Sequence, residues 1–210
     1  MNRQGILIVV SGFSGAGKGT IMKELTNRHA QYALSVSATT RQPRPEEEEG
    51  VAYFFKTVPE FERMIEQEEL IEYACYVSNY YGTPRRYVEE RLAEGRDVIL
   101  EIEIQGARKI KERFPDSVLL FVTTKDAKTL EERLTGRGTE EPQVIRQRLA
   151  RAAQEAEGIE EYDYLVINDD LDDCVAQVHR IIESEHLRMS RRLELVNHIR
   201  EDLQGLTKGE

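Results

Sequence analysis

Five apolar residues, Ile6-Leu7-Ile8-Val9-Val10, run without alternation near the start of the chain. Such a run suits a strand buried on both faces of a parallel sheet. From Lys18 to about His29 the spacing turns helical, with Ile21, Met22 and Leu25 on one side. Ala33–Thr39 alternates and predicts a short strand, and Val51–Phe55 predicts another. Pro59–Glu68 gathers Phe61, Met64 and Ile65 on one face of a short helix. Leu70–Tyr76 and Asn79–Tyr81 read as strands, and Thr83-Pro84 opens a helix through Leu92, with Thr as N-cap and Pro at N1.

Further on, Asp97–Ile104 and Val118–Thr124 predict core strands, while Gly106–Phe114 and Ala127–Thr135 predict helices. Gly136-Arg137-Gly138-Thr139 interrupts the pattern, and Pro142 starts a long helix reaching about Glu157. Tyr164–Ile167 is a short strand ending at Asn168, and a helix begins near Leu171. Strands alternating with helices imply an α/β fold with a parallel, doubly wound sheet and right-handed crossovers. The short strands and small helix between about Ser37 and Thr83 form an inserted lobe. The last stretch, Glu185–Leu206, carries Leu187, Leu193, Leu195, Val196, Ile199 and Leu203 at mixed helical spacing, with Arg188, Arg191 and Arg192 between. It reads as a C-terminal helix that packs on the domain, frays, or contributes to self-association.

Composition narrows the function classes. With 210 residues, the chain can hold one α/β domain with a sizeable core and a small insert. Its 39 acidic and 29 basic residues leave a net charge of −10. That argues against a general nucleic-acid or anionic-membrane binder, whose footprint is basic. No apolar run approaches the ~18 residues of a membrane span, and the N-terminus lacks a signal-peptide core. Cys75 and Cys174 lie far apart with no C-x-x-C and read as reduced thiols. A cytoplasmic protein is expected.

The first strand runs into Gly12-Phe-Ser-Gly15-Ala-Gly17-Lys18-Gly19-Thr20. Glycines let the backbone curl so that successive N–H groups face an anion, the helix N-terminus adds partial positive charge, and Lys18 reaches the outer phosphates. A G-x-x-x-x-G-K string arises by chance at roughly 0.07 sites in a chain this long. The residue after Lys18 is Gly19, with the hydroxyl one place later at Thr20, so magnesium contact falls to Thr20 or to water alone. Glu101 and Glu103 share one face of a strand, either as ordinary polar-out alternation or as ligand-binding carboxylates at the strand's C-terminal end. Arg41 and Arg44 sit in a Pro-stiffened loop, Arg137 sits between glycines, and Arg133 and Arg148 lie on flanking helices. Each alone suits a surface ion pair. Around a phosphate loop they suit neutralising a transferring phosphoryl group, and they point to a kinase whose acceptor also carries phosphate. Glu46–Glu49 reads as a solvated turn closed by Gly50.

Several runs resemble the guanylate kinase family, of the bacterial P-loop nucleoside monophosphate kinase type. They are Ser35–Arg44, Gly50–Tyr53, Leu70–Tyr73, Asn79–Gly82, Glu101–Gly106, Glu132–Glu140 and Val166–Asp169. The resemblance covers about residues 5–185 and implies a P-loop NTPase fold. It implies a core (1–36, 91–125, 158–185), a GMP-binding lobe (about 37–90), a lid (about 126–157) and a C-terminal extension (186–210). The implied reaction moves the γ-phosphate of ATP to GMP, and to dGMP, with Mg²⁺ as cofactor, in a monomer or homodimer.

By position, the resemblance assigns Ser37, Glu72 and Thr83 to guanine, and Arg41, Arg44, Tyr53 and Tyr81 to the GMP phosphate. Lys18, Arg137 and Arg148 would embrace the transferring phosphate, with Arg133 supporting and Asn168 near adenine. The loop from Gly12 through Phe13, Ser14, Gly15, Ala16, Gly17 and Gly19 to Thr20 would hold ATP. Glu101 would sit by magnesium. Glu103 stands where the family often has Asp, and Phe13 where it often has Pro, with the Phe13 side chain expected to point away from the phosphates. The chemistry agrees, since guanine presents N1–H and N2–H₂ side by side and one carboxylate, Glu72, can accept both, whereas adenine would strand it. The alternative is a non-catalytic guanylate-kinase-like interaction module. Gly17, Lys18 and the arginines argue against it.

Overall fold

The computed structural model describes residues 4–45, 47–76, 78–136 and 142–207. Strand β1 (Leu7–Gly12) lies at the centre of a five-stranded sheet. Its neighbours are β7 (Asp97–Glu101) and β8 (Val118–Thr123), with β2 (Tyr32–Leu34) and β9 (Tyr164–Ile167) outside them, every pair parallel. Its unbroken apolar run follows from this position. Ile8 and Val10 pack with Ile21, Met22 and Leu25 of α1 (Lys18–Arg28) and Val175, Val178 and Ile182 of α7 (Leu171–Glu185). Leu7 and Val9 face the other way, onto Val88 of α3 (Arg85–Ala93) and Ala107 and Ile110 of α4 (Ile104–Arg113). Both faces are covered, so the sheet is doubly wound.

A second sheet combines β3 (Ala38–Thr39), β4 (Phe54–Phe55), β5 (Leu70–Tyr76) and β6 (Asn79–Pro84) in the order β4-β3-β6-β5. Helix α2 (Val58–Glu66) closes it through Phe61, which packs on Ala38 and Leu70. A Thr57–Glu60 capping box starts that helix. Helices α5 (Ala127–Thr135) and α6 (Pro142–Ala156) share a small core of Leu130, Leu134 and Ala152, and Phe13 of the loop leans on it.

Four sequence expectations change. Ala33–Thr39 is not one strand. Leu34 pairs with Ile99 in the first sheet, whereas Ala38 pairs with Gly82 and Phe54 in the second, so the chain passes between sheets at Ser35–Ser37. Strand β7 stops at Glu101 rather than Ile104, because Glu103 turns to become the N-cap of α4. Pro84, not Thr83, is the N-cap of α3. Thr83 stays in β6, its hydroxyl already committed to Glu72. The C-terminal stretch is broken: α7 ends at Glu185, a single 3₁₀ turn covers Met189–Arg192, and α8 (Leu193–Thr207) follows with Ile199, Leu203 and Leu206 exposed. Among the described residues, no helix is long and apolar enough to cross a membrane. Both cysteines are free, and burial pushes the Cys174 thiol up to about 11.

Candidate active site

The C-terminal end of β1 delivers the chain into the glycine loop. Gly15 and Gly17 both adopt φ 92, in the left-handed region that side chains avoid. Gly17 is also crowded: a Cβ there would come within 2.4 Å of Nδ2 of Asn168. Gly17 caps α1, so Lys18, Gly19 and Thr20 form its first turn, where unpaired N–H groups and the helix dipole favour an anion. Lys18 Nζ donates to Gly12 O at 2.6 Å, curling back along the loop. Phe13 packs its ring edge-on against Phe121, centroids 5.0 Å apart.

Asn168, at the end of β9, donates from Nδ2 to Ala16 O at 2.8 Å, and Arg133 Nη2 donates to Asn168 O at 2.7 Å. The loop is therefore braced from β9 and from α5. Gly15, Gly17, Thr20, Arg133, Asn168 and Leu171 line a cleft of about 340 Å³ above it. Arg148 of α6 donates to Ser14 Oγ at 2.9 Å, and Arg151 one turn along reaches Glu103 Oε2 at 3.0 Å. Arg137 lies outside the described residues.

Glu101 ends β7 beside the start of α1, where a Cβ on Gly19 would lie 3.7 Å from its Oε2. Surrounding protein raises its pKa, opposed by the charge of Lys18 and reinforced by that of Glu103. Solvent still reaches the side chain, so Glu101 faces outward rather than into the core.

The second sheet holds the other half of the site. Glu72 of β5 is 5% exposed, and Thr83 of β6 donates to its Oε1 at 2.7 Å. Burial pushes the Glu72 carboxyl up from its ordinary value, with the Thr83 hydrogen bond working against that rise. Nearby, Arg41 Nη2 meets both carboxylate oxygens of Glu47 at 2.8 and 2.9 Å and lies over the Tyr53 ring, 5.3 Å from its centre. The Tyr53 and Tyr81 rings stand edge to face, 6.1 Å apart. Burial raises the Tyr53 pKa, which keeps its hydroxyl protonated as a donor. Arg44 is exposed and presents its backbone N–H to Glu47 at 2.9 Å. Ser37 stands at the entry to β3, its carbonyl accepting from Phe54 N at 2.9 Å.

Among the described residues, the structure thus gathers the sequence-predicted ones into two groups, one around the loop and one on the second sheet. Glu103 borders the first group, its charge acting on Glu101 and its carboxylate paired with Arg151. Glu47 is a residue the sequence pattern does not single out, because it sits in a run of glutamates that reads as solvated. Glu46 lies outside the described residues, but Glu47 pairs with the Arg41 guanidinium and is the first cause of its raised pKa. The signal was available in a small form: an arginine two residues before a Pro-stiffened turn and six residues from an acid.

A central parallel strand, a glycine loop with its lysine, and a helix opening over a cleft define a P-loop nucleotide-binding protein of the α/β class. The family model described as guanylate kinase matches residues 4–185. The guanylate kinase of Streptococcus agalactiae serotype III (strain NEM316) is 51% identical over 193 residues, 91% of this chain and 92% of that one. The guanylate kinase of Lactococcus lactis subsp. lactis (strain IL1403) is 47% identical over 204 residues, 97% of this chain and 100% of that one. The crystal structure of guanylate kinase from Anaplasma phagocytophilum superposes with a TM-score of 0.74 at 30% identity, covering 90% of this chain and 89% of that one. The chain belongs to the guanylate kinase family.

Proposed function

We propose that this protein transfers the γ-phosphate of ATP to GMP, and to dGMP, giving ADP and the guanine nucleoside diphosphate. The observation that carries the acceptor choice is Glu72: a carboxyl group 5% exposed, with, among the described residues, a single side-chain donor on Oε1. A buried acceptor with lone pairs to spare calls for two neighbouring N–H donors, which guanine offers and adenine does not. Thr83 orients it. Arg41 and Arg44, with the hydroxyls of Tyr53 and Tyr81, hold the acceptor phosphate, and Ser37 borders the base.

On the donor side, the loop N–H groups from Gly12 to Thr20 cradle the ATP phosphates and Lys18 leaves Gly12 O for the transferring group. Arg148 and Arg137 come from the lid, about 126–157, to spread its charge, while Arg133 and Asn168 keep the loop in shape. The acceptor oxygen is already ionised, so no side-chain base is required, and catalysis is positioning plus charge neutralisation. The lobe of about 37–90 and the lid would close over the two nucleotides and exclude water.

Among the described residues, no group of three or more His, Cys, Asp or Glu side chains could hold a metal ion. Thr20 and Glu101 supply hard oxygen donors beside the loop, a set that fits Mg²⁺ arriving on ATP and keeping several waters. Bound there, Mg²⁺ would neutralise charge on the ATP phosphates.

The test is an ADP-release assay with ATP·Mg²⁺ and GMP, dGMP, AMP, UMP or CMP. Turnover confined to the two guanine nucleotides is expected. Turnover with AMP equal to that with GMP would refute the role given to Glu72, and silence across the panel from folded, GMP-binding protein would refute the activity.

A further inference from the structure

Gly106 occupies the first turn of α4, and its φ lies outside the left-handed region. Glycine in a helix is less stable than alanine, so the backbone gives no reason for it here. Its surroundings do. A Cβ at this position would stand 2.9 Å from Oε2 of Glu72 and 3.6 Å from its Cδ, with Ile102 Cδ1 at 3.2 Å. The missing methyl is the space that the Glu72 carboxylate uses.

The same helix fixes the strand on either side of that carboxylate. Lys109, three residues along, donates to Tyr73 O at 2.7 Å, and Arg113, seven along, donates to Ile71 O at 2.8 Å. These carbonyls flank Glu72 in β5, the edge strand of the second sheet. One face of α4 therefore grips β5 before and after Glu72, and Thr83 holds Oε1 from β6. With strand and one oxygen pinned, the remaining freedom is the depth and tilt of Oε2, and Gly106 bounds it.

We propose that Gly106 is a specificity-determining positioning residue: its lack of a side chain sets the tilt of the Glu72 carboxylate, and so whether its oxygens meet guanine N1–H and N2–H₂ together. The proposal rests on the reading that Glu72 receives the base. A methyl here pushes on the free end of a side chain rather than on backbone, so the fold tolerates it while the recognition geometry does not.

The experiment is Gly106→Ala, with GMP, ATP and inosine monophosphate, whose base keeps N1–H but lacks the 2-amino group. The expected result is a KM for GMP raised about tenfold or more, an unchanged KM for ATP, and a reduced preference for GMP over inosine monophosphate. The unfolding midpoint should stay level or rise, since alanine favours the helix. A second arm shortens the acid. Glu72→Asp withdraws the carboxylate from position 106, so it should cost less in the Gly106→Ala background than in the parent, a coupling that a double-mutant cycle reads directly. Glu72→Gln separates the two possible failures. If Glu72→Gln leaves the KM for GMP unchanged, the reading of Glu72 falls and Gly106 with it. If Glu72→Gln weakens GMP but Gly106→Ala matches the parent in KM and in preference, the proposal alone is overturned. Equal weakening of GMP and ATP by Gly106→Ala, or additive effects in the cycle, would likewise overturn it.

Discussion

Burial disfavours the charged form of Glu72, and that tension should be visible in the pH dependence of acceptor binding. Its pKa is raised, first by burial, with the Thr83 hydrogen bond opposing. Only the ionised form can accept both guanine donors. As pH falls through the raised pKa, protonation of Glu72 should increase the KM for GMP. The free protein moves the opposite way. A carboxyl whose folded pKa is raised binds its proton more tightly folded than unfolded, so this group favours the fold below its folded pKa, and the advantage is lost as pH rises through it. Glu72→Gln should abolish the acid limb, because an amide does not titrate, and should raise the KM for GMP about a hundredfold at neutral pH. A GMP profile with the same acid limb in the variant would assign that limb to another group.

At the scale of elements, legibility followed locality. The first strand, its glycine loop and α1 were readable because the run Ile6–Val10, the glycines and the helical spacing all lie within one stretch. The helix expected over Pro59–Glu68 was readable through the shared face of Phe61, Met64 and Ile65, and it forms over Val58–Glu66. Alternation in Ala33–Thr39 revealed extended backbone but not that its ends pair with different sheets, since pairing partners lie far along the chain. Glu47 was hidden for the same reason in reverse, its partner fixed by a fold the charge run does not disclose. Thr83 shows how a tertiary contact overrides a local rule. Its hydroxyl, a good N-cap by sequence, faces Glu72 across the β5–β6 pair and is used there. Thr83→Val keeps the volume and removes that donor. Stability should fall by about 2 kcal/mol in urea unfolding, and the acid limb of GMP binding should move to higher pH, because a carboxylate deprived of a hydrogen bond is harder to ionise. An unmoved limb would show that the strand pair, not the hydroxyl, sets the charge state.

Across the whole molecule, the two ends of the central sheet do different work. The C-terminal ends of β1, β7 and β9 carry the glycine loop, Glu101 and Asn168. The opposite end is a latch. Asp97, buried at the start of β7, accepts from Ile6 N at 2.8 Å and meets Nε2 of His186 at 2.8 and 3.0 Å, tying the end of α7 to two central strands. Glu185 beside it accepts from Tyr164 at 2.5 Å and pairs with Arg188 at 3.2 Å, so the base of β9 is held by the same helix end. None of these groups reaches the cleft. Asp97→Ala should leave the Ile6 N–H and the His186 ring without their buried partner and cost about 3 kcal/mol of stability in urea unfolding. The KM values for GMP and ATP should stay at the parent values while the variant remains folded, because the site is anchored at the far end of the strands. A loss of GMP affinity in step with stability would mean that the position of Glu101 and α4 is set through β7 from its base, and that the latch belongs to the catalytic machinery.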